Sequence, residues 1–286
     1  MSIRIRHLNH VYDPGSPYET NALIDINLDI ARGEFIGLIG HTGSGKSTLI
    51  QQLNGLLKPQ SGQIVVNGYD ITAKGIKLSD IRKRVGIVFQ YPEYQLFEET
   101  VLKDVAYGPT NLGLAKDDAL RIAHEALESV GFNPEEIGGM SPFELSGGQK
   151  RRVAIAGILA MQPEVLILDE PTAGLDPKSR RDLLELVAKE HRAHKRTTIL
   201  VSHSMEDVAR YVDRIIVMDS GMIKFFDVPA AVFEHEATLK ALGLDIPEVT
   251  KIIKALNRKG FNLPEDIYHY EVLAKLLVER LGGDPC

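Results

Sequence analysis

The stretch Gly40-His41-Thr42-Gly43-Ser44-Gly45-Lys46-Ser47 limits what this chain can fold into more than any other segment, because it fits G-x-x-x-x-G-K-[ST] in full. It follows Glu34-Phe35-Ile36-Gly37-Leu38-Ile39, a short apolar run of the buried-strand kind, and it opens a helix-like stretch from Ser47 to Leu57. In that setting the loop is a phosphate cradle. Glycines let backbone N–H groups converge on the β- and γ-phosphates, Lys46 adds a positive charge to the same oxygens, and the helix N-terminus adds its partial charge. The Ser47 hydroxyl is then placed to ligate Mg²⁺. The nucleotide-binding set therefore runs through Gly40, His41, Thr42, Gly43, Ser44, Gly45, Lys46, Ser47 and Thr48.

The rest of the chain alternates strands and helices around this loop. Ile3 to Val11 and Ala22 to Ile30 alternate apolar with polar residues, as half-buried strands do, with a turn at Asp13-Pro14-Gly15-Ser16-Pro17 between them. Ile64 to Val66, Val85 to Phe89, Val165 to Leu168, Thr198 to Val201 and Ile215 to Met218 read as further strands, and Asn67-Gly68 as a turn. Lys116 to Val130, Lys150 to Ala160 and Arg180 to Lys189 carry helical spacing, so an α/β fold with a mainly parallel layered sheet and a helical insertion is expected. Beyond Pro229 two more helical patterns follow, Val249 to Leu256 and Val272 to Leu281, and Gly282 to Pro285 reads as a frayed end.

Composition sets outer bounds. With 286 residues, 44% hydrophobic and 25% charged, the chain has the material for one large or two modest globular domains. A net charge of −6 supplies no global positive field for nucleic acid or an anionic membrane surface, so no nucleic-acid partner is expected. The single cysteine, Cys286, allows no internal disulfide, which fits a cytosolic setting. No apolar run is long enough to span a bilayer, so membrane work would need a partner rather than direct insertion.

A triphosphate loop needs a carboxylate for its metal, and Val165-Leu166-Ile167-Leu168-Asp169-Glu170 offers one where open α/β sheets place ligands. Asp169 is the metal-side acid. Glu170 follows directly, near the γ-phosphate, where it can orient or deprotonate water. Alone, the pair would read as an ordinary solvated strand end; with the phosphate loop it makes a nucleoside triphosphatase.

Leu145-Ser146-Gly147-Gly148-Gln149, followed by Lys150-Arg151-Arg152, decides the class. Here the chain resembles the ATP-binding-cassette family, whose signature is LSGGQ at this place between the two Walker motifs. Physically it is a second phosphate cradle at a helix N-terminus. The resemblance implies that Ser146, Gly147, Gly148 and Gln149 serve the ATP of an opposite subunit. It also implies a fold: a RecA-like P-loop core, an antiparallel β subdomain and a helical subdomain inserted at about residues 92–162. Other family elements match one by one. Gln90 corresponds to the Q-loop glutamine, a contact for Mg²⁺ or the attacking water; His203 to the switch histidine at the γ-phosphate; Asp176 to the D-loop aspartate that bridges subunits. Tyr12 matches the aromatic that stacks on adenine, with Tyr18 as the alternative because the segment from Asp13 to Thr20 is long.

The segment Gln90-Tyr91-Pro92-Glu93-Tyr94-Gln95-Leu96-Phe97, with Asp104 to Pro109 and Asn111 to Leu114, is similar to the ATPases of energy-coupling factor transporters and their cobalt or nickel relatives. Within that branch the Gly40-His41-Thr42-Gly43 loop resembles the second of two paired ATPases. The resemblance implies a division into a nucleotide-binding domain, 1–228, and a C-terminal helical domain, 229–286. It further implies ATP and Mg²⁺ as cofactors, a second ATPase subunit as heterodimer partner with a homodimer as the alternative, and a transmembrane coupling protein with a substrate-binding membrane protein. The chain would sit peripherally on the cytoplasmic face of the cell membrane and power uptake of vitamins or other micronutrients. The alternatives are a cobalt or nickel importer ATPase and a non-transport ATPase of the same family. Tyr91, Tyr94, Leu96 and Phe97 have an independent reading as a groove for a partner helix, against an ordinary core corner.

Overall fold

The computed structural model describes residues 1–281. In chain order the first elements are β1 (Ile3–Tyr12), β2 (Thr20–Ile30), β3 (Phe35–Ile39), α1 (Lys46–Leu53), β4 (Ser61–Val66), β5 (Tyr69–Asp70), α2 (Leu78–Arg84) and β6 (Val85–Val88). A helical insert follows, α3 (Val101–Asn111), α4 (Lys116–Ser129), α5 (Pro134–Ile137) and α6 (Gly147–Ala160). The chain then returns through β7 (Val165–Asp169), α7 (Pro177–His194), β8 (Thr197–Val201), α8 (Met205–Tyr211), β9 (Arg214–Asp219) and β10 (Met222–Asp227). Helices α9 (Pro229–Glu234), α10 (Glu236–Ala241), α11 (Glu248–Asn257) and α12 (Tyr270–Leu281) close the described residues.

Six strands form the central sheet in the order β10-β9-β3-β8-β7-β6, parallel throughout except where β10 folds back on β9. A second, antiparallel sheet has the order β2-β1-β4-β5. Because successive strand side chains point to opposite faces, the central sheet separates two cores. Phe35, Ile39, Leu166, Leu168, Leu200, Ile215 and Val217 join the core shared with the helical insert and α7. Ile36, Leu38, Ile167, Ile199, Val201 and Ile216 join the core shared with α1 and the antiparallel sheet. Burial on both faces is why these strands are continuous apolar runs.

Several boundaries differ from the sequence expectation for local reasons. Helix α1 stops at Leu53 rather than Leu57, because Asn54 turns its side-chain amide to the Val85 carbonyl at 2.5 Å and Gly55 takes a left-handed φ of 75°. Helix α7 exceeds Arg180–Lys189 at both ends, starting at Pro177 once Asp176 caps it. Helix α3 was not legible: Pro109 lies in its last turn and reads as a breaker in sequence. The turn at Asn67-Gly68 is a two-residue hairpin, with φ of 47° and 82°.

After β10 the packing changes. Val232, Phe233, Leu239, Leu244 and Ile246 still belong to the core of the helical insert and α7. A small separate core of Val249, Ile253, Leu263, Ile267 and Leu273 begins only with α11. The expected frayed end, Gly282 to Pro285, and Cys286 lie outside the described residues.

Candidate nucleotide-binding and hydrolysis site

The parallel register collects the predicted residues at one edge of the sheet. Leu38 pairs with Val201, Ile39 with Val217, Asp169 with Val201 and Val88 with Leu168. Within two residues beyond those pairs the chain presents Gly40 and His41, Asp219, His203, Glu170 and Gln90. Five neighbouring strands thus deliver them to the carboxyl edge, the ordinary ligand side of an open α/β sheet.

The phosphate loop is held from within. Gly45 has φ 102° and a Cβ there would lie 2.4 Å from the Ala22 carbonyl oxygen; at Gly40, φ 154°, it would lie 2.3 Å from that of Met218. Neither position accepts a side chain. Gly45 caps α1 without a side-chain acceptor, so the first N–H groups of the helix are left for a ligand. Lys46, only 6% exposed, donates from Nζ to the carbonyls of Gly40 at 2.6 Å and His41 at 2.9 Å. Burial pulls its pKa down, and the charges of Glu170 and Asp169 oppose that shift. His41 spans the loop, with Nδ1 2.7 Å from the Thr42 carbonyl and Nε2 2.9 Å from Asp219 Oδ1. The Ser44 side chain is buried and packs inside the loop, while Thr42, Gly43 and Ser47 are exposed. Tyr12 reaches this helix, its hydroxyl 3.2 Å from Thr48 Oγ1 and its ring edge-on to His10. Tyr18 is 81% exposed on the β1–β2 loop.

The acidic side faces the loop's lysine. Burial, and then the neighbouring Glu170, push the Asp169 carboxyl up from its ordinary value, against the pull of Lys46 and His203. A half-buried carboxylate so placed is a fitting ligand for a divalent cation, with the exposed Ser47 hydroxyl and the exposed Gln90 amide as further oxygen donors. Glu170 has φ 48°, an uncommon conformation for glutamate, and donates its backbone N–H to Val201 O at 3.1 Å. Its carboxylate Oε1 lies 2.5 Å from His203 Nε2. The strained turn thus carries the acid out of the sheet and into reach of the histidine on the next strand.

The signature is built differently. Ser146 caps α6, its hydroxyl accepting from Gln149 N at 3.4 Å while Gln149 Oε1 accepts from Ser146 N at 2.9 Å. Gly147 and Gly148 have nothing within 4 Å of an added Cβ and no left-handed φ. Nothing among the described residues requires glycine there. The motif lines a cavity with Ser179 and Asp182 of α7, and no phosphate-loop residue borders it. Asp176 accepts from the N–H groups of Lys178 and Ser179, both at 3.0 Å, and so starts α7.

The family model described as ABC transporter matches residues 23–173, more than half of the chain and inclusive of the phosphate loop, the signature and Asp169-Glu170. The chain belongs to the ABC transporter family. Its curated relatives include two called energy-coupling factor transporter ATP-binding protein EcfA2. That of Clostridium perfringens is 56% identical over 99% of this chain and 100% of its own length. That of Caldanaerobacter subterraneus is 54% identical over 99% of both. The expected branch, and the second of its paired ATPases, are borne out by these likenesses. Among solved structures, cbiO1 of Clostridium perfringens, part of the ABC transporter complex cbiONQ, superposes with a TM-score of 0.74 at 36% identity, covering 88% of this chain and 98% of that one. A dimeric ATP-binding cassette in a post-hydrolysis state with ADP and Pi gives 0.69 at 27%, covering 79% and 98%. The expected cassette fold and an ATPase activity coupled to transport follow for this member of the family.

Two features of this ABC ATPase escaped the sequence. Arg151, in the basic run after the signature, is 3% exposed; it pairs bidentately with Glu93 at 2.6 and 2.9 Å and donates to the carbonyls of Pro171 and Ala173. It joins α6 to the segment after Gln90 and to the loop after Glu170. The signal available was a carboxylate, Glu93, set among the aromatic residues Tyr91, Tyr94 and Phe97. Asp219, the partner of His41, was visible only as an acid closing a strand. The groove reading of Tyr91 to Phe97 gains support over the core corner for three of its four residues: Tyr94 is 84% and Phe97 57% exposed, Tyr91 is exposed too, and Phe97 meets the exposed Tyr107 edge-on at 4.8 Å, whereas Leu96 is buried in the core. Among the described residues no helix is long and apolar enough to cross a membrane.

Proposed function

We propose that this chain hydrolyses ATP at a site shared with a second ATPase subunit and that closure and reopening of the pair drive an energy-coupling factor transporter. The observation that carries the reading is the pair of exposed signature glycines, required by nothing among the described residues and adjoining an exposed helix N-terminus. A cradle with no internal occupant suits the triphosphate of an opposing chain. The dimeric post-hydrolysis cassette, a relative at 27% identity, supports the same arrangement. The numeral in the relatives' name, EcfA2, favours a heterodimer with a differently numbered ATPase over a homodimer.

In this reading Lys46 and the first N–H groups of α1 hold the triphosphate, and Tyr12 stacks on adenine rather than Tyr18, since Tyr12 alone reaches α1. Ser47, Asp169 and Gln90 would hold Mg²⁺, which when bound neutralises phosphate charge. Glu170 accepts the proton of the attacking water, and its contact with His203 orients the carboxylate before the nucleotide arrives. His203 then turns to the γ-phosphate, where with Lys46 and the opposing signature it stabilises the charge that develops in the transition state. Asp176, at the start of α7, faces the opposite subunit.

The exposed Tyr91, Tyr94, Phe97 and Tyr107 dock a helix of the transmembrane coupling protein, on the cytoplasmic face of the membrane, and Arg151 passes the movement between that patch and the signature helix. We divide the chain into a nucleotide-binding unit, 1–228, and an appended helical unit, 229–286, whose first helices, α9 and α10, pack into the core of the first unit and whose own core starts with α11. The imported substrate is a vitamin or another micronutrient, selected by the substrate-binding membrane protein. Co-purification from membranes tests the assembly: an associated second ATPase and a transmembrane protein are expected, and a chain recovered alone and fully active would refute it.

A further inference from the structure

A cavity of about 420 Å³ lies at the edge of the central sheet opposite the phosphate loop, where β7 and β8 begin. Its walls come from α4 and the end of α6 on one side and from the C-terminal end of α7 on the other. That volume falls in the range of small-molecule sites. Three cations line it, Arg32, Lys195 and Arg196, together with three carboxylates, Glu125, Glu164 and Glu190. Their pairing is lopsided. Glu125 is bound to Arg121 at 2.7 Å, Glu164 to Arg84 at 2.5 Å and to Asn67, and Glu190 lies 3.4 Å from His194 Nε2. Among the described residues none of the three cations has a carboxylate within ion-pair distance. Arg32 and Lys195 are exposed and solvated, but Arg196 is 9% exposed, and its Nε and Nη1 are buried without a hydrogen-bond partner. Glu190 acts on Arg196 through its charge without reaching ion-pair distance, so the guanidinium keeps its Nε and Nη1 hydrogens unsatisfied, which is costly for a buried charge. Two lining residues, Gln162 and Lys195, hold left-handed φ of 52° and 48° where α6 and α7 end, the ordinary conformation at a helix C-terminus.

We propose that this cavity binds a small molecule through a phosphate group, with Arg196 as the buried receptor and Arg32 and Lys195 at the rim. A doubly charged phosphate matches three uncommitted cations better than a single carboxylate does. The occupant would touch the helical insert and the sheet together, and so tie α4 and α6 to α7 at a place remote from the hydrolysis site.

The test uses the full-length chain carrying Lys46→Ala, which removes phosphate binding at the nucleotide loop. Calorimetric titration with inorganic phosphate and with glycerol 3-phosphate, at constant ionic strength, should show saturable binding; glycerol and acetate should not. Adding Arg196→Met should weaken phosphate binding by about tenfold or more, while raising the melting temperature in phosphate-free buffer because an unpaired buried charge is gone. Arg32→Ala with Lys195→Asn, which keeps a residue tolerant of left-handed φ, gives a second variant on the surface and should also weaken binding. No saturable binding in Lys46→Ala, or phosphate binding undiminished in both variants, would overturn the proposal. If the phosphate-loop reading were wrong, Lys46→Ala would instead leave ATP affinity unchanged, a separate result.

Discussion

The chain carries two glycine-bearing helix starts, and they are built to opposite plans. In the phosphate loop, Gly40 and Gly45 are forced by their own chain: a Cβ at either would strike a backbone carbonyl of another strand. Helix α1 has no side-chain cap, and the buried Lys46 closes the loop from below. In the signature, Gly147 and Gly148 face open space, and α6 already has a complete capping box from Ser146 and Gln149. The first loop is shaped by packing within the chain, whereas no packing among the described residues dictates the glycines of the second. On the proposed reading, one half of an ATP site is finished within the monomer and the other half serves an opposing chain.

Substitutions can break that comparison, beginning with the largest effect. Gly45→Ala should cost about 1–3 kcal/mol in strain, with the carbonyl clash in addition, and should abolish ATP binding; thermal melting and nucleotide titration read both. Glu170→Gln should keep ATP binding while lowering turnover by about 10²- to 10⁴-fold, in steady-state assays of the assembled pair. Gly148→Asp should behave unlike Gly45→Ala. An acid in the first turn of α6 leaves folding within about 1 kcal/mol of the parent, or improves it, yet it should suppress turnover of the assembly by repelling the opposing triphosphate. If Gly148→Asp instead unfolds the chain, the signature glycines serve packing. The smallest effect is expected at the adenine. Tyr12→Ala should weaken ATP binding by about 1–3 kcal/mol, the worth of a base stack, and Tyr18→Ala should not change it.

The phosphate loop, Asp169, Glu170 and the signature were legible because their chemistry depends on short contiguous spacing. The edge that gathers them was legible too, since apolar runs closed by a glycine or an acid announce parallel strands and their ligand end. What stayed hidden depends on partners far away in sequence. Arg151 reads as one of three solvated basics, and only the fold brings it to Glu93, 58 residues earlier. The His41–Asp219 link spans 178 residues. Helix α3 was masked by Pro109, which cannot donate to the Val105 carbonyl one turn earlier. The observation that favours Tyr12 over Tyr18 in the proposed site, the reach of its hydroxyl to Thr48, is encoded by no local pattern.

The measurement that bears most directly on a shared site is ATP turnover per chain, monomer against assembly, with the monomeric state verified by sedimentation. The isolated monomer should bind ATP at its own phosphate loop but turn it over at least about 10²-fold more slowly than when joined to its ATPase partner, as expected when transition-state donors are missing. A monomer that hydrolyses ATP as fast as the assembly would contradict the account.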